Sequence, residues 1–176
     1  MESNIKEVAR TIGITVAICI AATILMLISG GGQLVIMNPL IKGYIHLGLE
    51  HFSINMIILF LALLSPINQS YDFKKIYKVT VVISLIYLPF EIGGFSETAL
   101  GLSGTCYFLL SRYFFSWKER GPLGMLIITI LALLELGASV NTSIDKTAHF
   151  VHVLGIALGY LSLKYAHKKS LEKLGF

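Results

Sequence analysis

The chain has 176 residues, of which 55% are hydrophobic and only 14% charged, and its mean hydropathy is +0.78. A soluble domain carries roughly 25% charged residues to wet its surface, so this composition excludes a soluble domain, a disordered chain and, despite a net charge of +4, a nucleic-acid binder. The length suits one domain, and two cysteines, Cys19 and Cys106, both inside apolar runs, exclude a disulfide framework.

A bilayer core needs about 20 mostly apolar residues per helix. Six stretches approach this, at approximately 11–29, 46–64, 77–92, 99–115, 122–140 and 148–165. Open β-structure would leave edge groups unsatisfied in lipid, and the alternation of a barrel is absent. The predicted fold is all-α: one polytopic membrane domain over 1–176, built as a bundle of six transmembrane helices. The first run is too long for a signal peptide and residues 28–32 make a weak cleavage site, so it is expected to stay as a helix.

The cations orient the bundle. Lys6 and Arg10 precede helix 1, and Lys74, Lys75 and Lys78 lie between helices 2 and 3. Arg112, Lys118 and Arg120 flank the link from helix 4 to helix 5, and Lys164, Lys168, Lys169 and Lys173 follow helix 6. Only Lys42 and Lys146 fall on the other side. The positive-inside rule then predicts both termini in the cytoplasm, which requires an even number of spans. A multi-pass protein of the plasma membrane is expected.

Helices 2, 4 and 6 run from outside to inside, so their first turns share one depth just below the outer surface. The unusual polar residues fall there: His46, Glu50, His51 and Asn55 on helix 2, Ser103 between Gly101 and Gly104 on helix 4, and His149 and His152 on helix 6. Polar side chains inside a span are costly and point to function. His51 and Asn55, four residues apart, project from one face and can both donate to one point. His152, Gly155 and Gly159 form one stripe, and small residues let helices approach closely. Close approach is what a Ser103–His152 hydrogen bond of about 2.6–3.2 Å requires. Tyr107 lies one turn below Ser103 and would pack on the imidazole.

A serine hydroxyl becomes a nucleophile when a base takes its proton, and neutral imidazole does so near pH 7. The tetrahedral intermediate needs donors for its oxyanion; His51, Asn55 and the Ser103 N–H are available. No carboxylate is evidently placed as a third member, so a Ser–His dyad is expected. Taken singly, each feature has a plainer reading: packing for Ser103 and the glycines, an interhelical hydrogen bond for His51–Asn55. Structural hydrogen bonding near the surface is expected for His46, solvation for His167, and water-facing or paired carboxylates for Glu91 and Glu135. Pro89 lacks an N–H and would kink helix 3, and Cys106 would pack as a small apolar residue.

The three motifs resemble the rhomboid family of intramembrane serine proteases. The family patterns are H-x-x-x-N on helix 2, G-x-S-G opening helix 4 and H-x-x-G-x-x-x-G on helix 6. They read here as His51-Phe-Ser-Ile-Asn55, Gly101-Leu-Ser103-Gly104 and His152-Val-Leu-Gly155-Ile-Ala-Leu-Gly159. The resemblance implies an endopeptidase cutting transmembrane substrates near the outer membrane face. It implies Ser103 as nucleophile, His152 as base, His51 and Asn55 as oxyanion donors, and Tyr107 stacked on the base, with no cofactor or metal. The loop after helix 1, 35–42, lacks the Trp-Arg pair of many rhomboids, and the single Trp117 lies on the cytoplasmic side. Ala148-His149 is a rival for the base, since it resembles the family's Ala-His; the glycines at +3 and +7 favour His152. Two other functions stay open: a rhomboid-like pseudoprotease that binds transmembrane helices without cutting, and a metal or proton transporter using the histidines and glutamates, although no H-E-x-x-H motif is present. A substrate helix would enter sideways, and Gly93, Gly94 and Gly137 would loosen helix ends beside an entrance between helices 2 and 5.

Overall fold

The structure is a computed structural model and describes residues 2–30, 38–46, 49–93, 101–116, 122–140 and 149–173, with side chains omitted at 2–4, 138–140 and 167–173. Among these residues there are six α-helices and no strand: α1 (Glu2–Ile28), α2 (Leu49–Leu64), α3 (Phe73–Ile92), α4 (Ser103–Phe115), α5 (Pro122–Val140) and α6 (His149–Lys173). Short 3₁₀ turns at Lys42–Tyr44 and Pro66–Asn68 precede and follow α2. The expectations for Gly94, Trp117, Lys118, Arg120, Lys146, Ala148, the 35–37 stretch and the side chains of His167, Lys168, Lys169 and Lys173 lie outside the described residues.

Helices are the form in which an apolar segment satisfies its own backbone without water. Among the described residues, Ile5–Ile28 is the one helix long and apolar enough to cross a membrane by itself, while Leu49–Leu64 and Pro122–Gly137 are apolar but shorter. The surface is apolar in a way a soluble fold is not: Ile20, Leu25, Leu27, Ile57, Leu61, Leu85, Leu126, Leu133 and Leu134 are all exposed.

α4 is the hub, with α2, α3, α5 and α6 packed around it. Ser103, Gly104, Thr105, Cys106, Phe108, Leu109, Ser111 and Arg112 are all buried along it. Its closest neighbour is α6. A methyl added at Gly155 would overlap the Gly104 carbonyl, and one at Gly159 would overlap the Phe108 carbonyl and the Ser111 hydroxyl. Polar contacts pin the hub: Thr80 Oγ1 and Thr105 Oγ1 meet at 2.8 Å between α3 and α4, and Ser111 Oγ donates to the Ile156 carbonyl at 3.0 Å.

At the opposite end from Ser103, Arg112 donates through Nε to Asn68 Oδ1 at 3.2 Å and through a terminal nitrogen to Ser162 Oγ at 2.6 Å. The Asn68 amide donates to the Ala62 and Leu109 carbonyls, each at 3.0 Å. One residue on the α2–α3 turn thereby ties α2, α4 and, through Arg112, α6.

The fourth span differs from its predicted extent of 99–115. The helix starts at Ser103, because Gly101 has φ +94, a left-handed backbone that ends helical continuity and that glycine adopts without strain. Thirteen helical residues rise only about 20 Å at 1.5 Å each, against a hydrocarbon core of about 30 Å. Leu102, Ser103 and Gly104 are all buried, so the N-terminal end of α4 lies inside the bundle, where non-helical backbone persists only if protein or a water-filled cavity surrounds it.

Candidate active site

The starts of α2, α4 and α6 come together at one end of the bundle, joined by the end of α5. Ser103 is the first residue of α4 and is buried. The first amides of a helix have no intrahelical acceptor, and the first closing bond here is Cys106 N–H to the Leu102 carbonyl at 2.9 Å. Aligned peptide dipoles add partial positive charge at that end. Ser103 thus stands at a sunken, electropositive helix start suited to an oxyanion.

His152 lies across from it on α6. A Cβ on Gly104 would sit 3.1 Å from Val151 Cγ2 and 3.3 Å from the Val151 carbonyl oxygen, so the residues beside Ser103 and beside His152 are in contact. The imidazole stacks on Tyr107, with ring centroids 4.3 Å apart and planes 9° from parallel. Tyr107 is four residues below Ser103, so this stacking sets the ring on the serine-bearing face of α4.

Two features of His152 were not legible in the sequence. Its Nδ1 lies 2.9 Å from Glu135 Oε2, so a carboxylate stands beside this imidazole, where none was expected. Its Nε2 is buried and has no hydrogen-bond partner, so the expected Ser103–His152 hydrogen bond is not formed in this structure. A carboxylate accepts from Nδ1–H, which leaves Nε2 with the lone pair. That is the tautomer a base needs.

Glu135 is shared. Its Oε2 also lies 2.6 Å from His149 Nδ1, and its Oε1 accepts from the Tyr107 hydroxyl. Glu135 was expected to be water-facing or paired; it is paired, with three side chains from two helices. His149 also stands edge-on to His152, with centroids 5.9 Å apart. Stacking on Tyr107 is made by His152. Glu135 is the single acid in the apolar α5 sequence. A lone charge in a span costs enough to demand a partner, which was the available signal, but one helix cannot reveal which neighbour it faces.

The two residues expected as oxyanion donors, His51 and Asn55, are arranged differently from expectation. Asn55 Nδ2 lies 3.2 Å from His46 Nε2 rather than converging with His51 on a common point. His46 Nδ1 lies 3.2 Å from the Tyr44 carbonyl oxygen, which fixes the proton on Nδ1 and makes Nε2 the acceptor for Asn55. The Leu102 N–H approaches the same Nε2 at 3.5 Å. His46 therefore has the structural hydrogen-bonding role expected of it, and also holds Asn55. His51 is exposed, with its ring centroid 5.5 Å from that of His46. Gly101 fits between the two rings: a Cβ there would be 3.1 Å from His46 Nε2 and 3.3 Å from His51 Cε1.

Residues 40–169 match the family model of the Rhomboid domain. The chain belongs to the rhomboid family. It is accordingly an integral membrane protein. No curated protein and no solved structure matches it.

In this rhomboid, Glu135, His149 and His152 are the group of metal-ligating type among the described residues, with ligand atoms within 4.8 Å of one another. Ligands about 2.0–2.1 Å from a tetrahedral zinc stand roughly 3.3 Å apart. The contacts of 2.6 and 2.9 Å are those of hydrogen bonds, so the set is closed by protons and would have to spread to admit an ion. The second acid, Glu91, pairs with Lys42; both side chains are 1% exposed. This pair braces the same end of the bundle, where the Gly101 N–H also donates to the Lys42 carbonyl at 3.3 Å.

Proposed function

We propose that this rhomboid-family chain is an intramembrane serine endopeptidase that hydrolyses peptide bonds of transmembrane proteins near the outer face of the membrane. The observation that carries the reading is His152: seated on Tyr107, backed at Nδ1 by a carboxylate, bare at Nε2, and one residue from the contact with the serine-bearing helix start. The Ser103 hydroxyl attacks the scissile carbonyl carbon as Nε2 takes its proton. The oxyanion meets the orphan amides of α4 and the His51 ring, with the Asn55 amide joining when it leaves His46. His152 then gives its proton to the departing amine. Water, deprotonated by the same Nε2, hydrolyses the acyl-enzyme and restores Ser103. An absent Ser103–His152 bond is compatible with this cycle, since catalytic hydrogen bonds often tighten only with substrate.

Cytoplasmic termini, in the plasma membrane, would open this end of the bundle to extracytoplasmic water, which hydrolysis needs. The exposed His51 and partly exposed Glu135 and His149 suit a wet mouth. α2 and α5 have at most slight contact among the described residues, which suits sideways entry of a substrate helix between them.

The test is cleavage of a reporter transmembrane segment in proteoliposomes by wild type, Ser103→Ala and His152→Ala. Cleavage by wild type that is abolished in both variants, with folding retained, is the expected result. Retained cleavage in Ser103→Ala would remove the proposal. A second reading, helix binding without cleavage, draws on the unmade Ser103–His152 bond and the engagement of Asn55 by His46. Labelling of Ser103 by a fluorophosphonate, absent in His152→Ala, favours the protease; a folded wild type that neither labels nor cleaves favours the binder.

A further inference from the structure

We infer that Glu135 is the positioning residue of the catalytic base, so that the reacting unit is Ser103–His152–Glu135 rather than a serine–histidine pair. The inference rests on the protease reading above and deepens it.

Three observations converge on this carboxylate. Oε2 lies 2.9 Å from His152 Nδ1, which leaves Nε2 as the nitrogen available to a serine proton. Oε1 accepts from the hydroxyl of Tyr107, the same ring on which His152 stacks. The carboxylate therefore holds both the edge and the platform of one imidazole. Third, the remaining nitrogen, Nε2, is buried without a partner. A buried polar atom left unpaired is costly; His149 Nε2 is unpaired as well, and it is the stacking on Tyr107 that singles out His152.

The physical effect follows from tautomer and charge. With Nδ1–H donating to Oε2, the lone pair is confined to Nε2. When Nε2 gains the serine proton, the imidazolium forms within hydrogen-bond distance of a negative, mostly buried carboxylate, where the Coulomb attraction is stronger than in bulk water. Glu135 keeps its own negative charge throughout and only steadies the cation. An orienting acid of this kind is worth up to about 10⁴-fold in turnover where it has been removed isosterically. The charged and titratable groups facing it are Tyr107 from α4 and His149 and His152 from α6.

A merely structural role is the competing account: Glu135 would clip α5 to α4 and α6. The two differ in what leucine does. Leucine is favourable in a span where a charge is not, so if the role is only a clip, Glu135→Leu changes thermal stability and leaves turnover intact.

The experiment compares wild type, Glu135→Gln and Glu135→Leu, purified and reconstituted, with the transmembrane reporter. Separately, ¹⁵N spectra of histidine-labelled protein are read for the His152 resonance, identified by its loss in His152→Ala. We expect kcat to fall about 10²–10⁴-fold in both Glu135→Leu and Glu135→Gln, with KM within about twofold; the glutamine amide carries no charge and can turn its N–H₂ toward Nδ1, which favours the other tautomer. The His152 signal is expected to lose its Nδ1–H tautomer in Glu135→Leu. Wild-type kcat in Glu135→Leu, or an unchanged His152 tautomer, would overturn the inference while leaving the protease reading standing. A folded wild type that does not cleave would remove the protease reading first, and this one with it. If Glu135→Leu does not fold, Glu135→Gln decides: full wild-type turnover there overturns the assignment, and a loss in kcat alone supports it.

Discussion

Gly155 offers the sharpest test of how α6 delivers His152 to Ser103. A Cβ placed there overlaps the Gly104 carbonyl oxygen and comes within 3.1 Å of the Gly104 carbonyl carbon and 3.2 Å of the Phe108 nitrogen. All three are backbone atoms of α4, so no side chain can swing aside. Gly155→Ala must push α6 away from α4 by roughly an ångström. Overpacking of this kind costs about 1–3 kcal/mol, set against at most about 1 kcal/mol gained from alanine's helix propensity. Gly155 is three residues from His152 on the same stripe, so the displacement reaches the base nearly undiminished. A misplacement of about 1 Å can cost on the order of 10² in rate. The expected outcome is a lowered unfolding temperature and a fall of about 10²-fold in reporter cleavage, where displacement of the base is the cause. Gly13→Ala is the control: its Cβ meets nothing within 4 Å, so stability should hold or rise and cleavage should be unchanged. A Gly155→Ala protein with wild-type melting and wild-type kcat would refute the claim that this glycine sets the helix separation.

Three further outcomes follow from the same end of the bundle. Gly101→Ala forces a φ of +94 on an L-residue and crowds His46 and His51; a loss of about 1–3 kcal/mol is expected from the strain, read by thermal unfolding, together with reduced cleavage. Lys42→Met takes the ammonium away from a carboxylate whose side chain is 1% exposed; breaking a buried pair costs about 3–5 kcal/mol, and Lys42→Met with Glu91→Leu should recover much of it, as a double-mutant cycle would show. His46→Ala removes the acceptor used by the Asn55 amide and approached by the Leu102 N–H; orphaning buried donors costs about 1–3 kcal/mol, and unchanged stability would mean water replaces the ring.

Much of this architecture was legible in one dimension. Lipid forces long apolar runs, and six runs along the sequence correspond to six helices in the same order, although α1 begins at Glu2 and α6 runs on to Lys173, both beyond the apolar limits. The spacing of His152, Gly155 and Gly159 announced a close helix contact, and the structure places both glycines against α4 carbonyls. The position of Tyr107 four residues after Ser103 announced a ring on the same face, which carries His152. The cross-helix partners were not legible. Asn55 was paired by spacing with His51, yet its amide goes to His46, because the chain before α2 folds back through the Lys42–Tyr44 turn and inserts that ring. Glu135 carried a signal of need, a charge in an apolar helix, without an address.

The sequence by itself determined a helical membrane protein of the rhomboid kind and the set of polar residues at one level, because burial in lipid and residue periodicity are local properties. Only the tertiary structure decided that α4 begins deep at Ser103, that a carboxylate from α5 stands behind His152, and that Nε2 is left open. Those outcomes depend on how each helix is rotated about its own axis and which neighbours it meets, and such rotations are fixed by packing summed over the whole bundle.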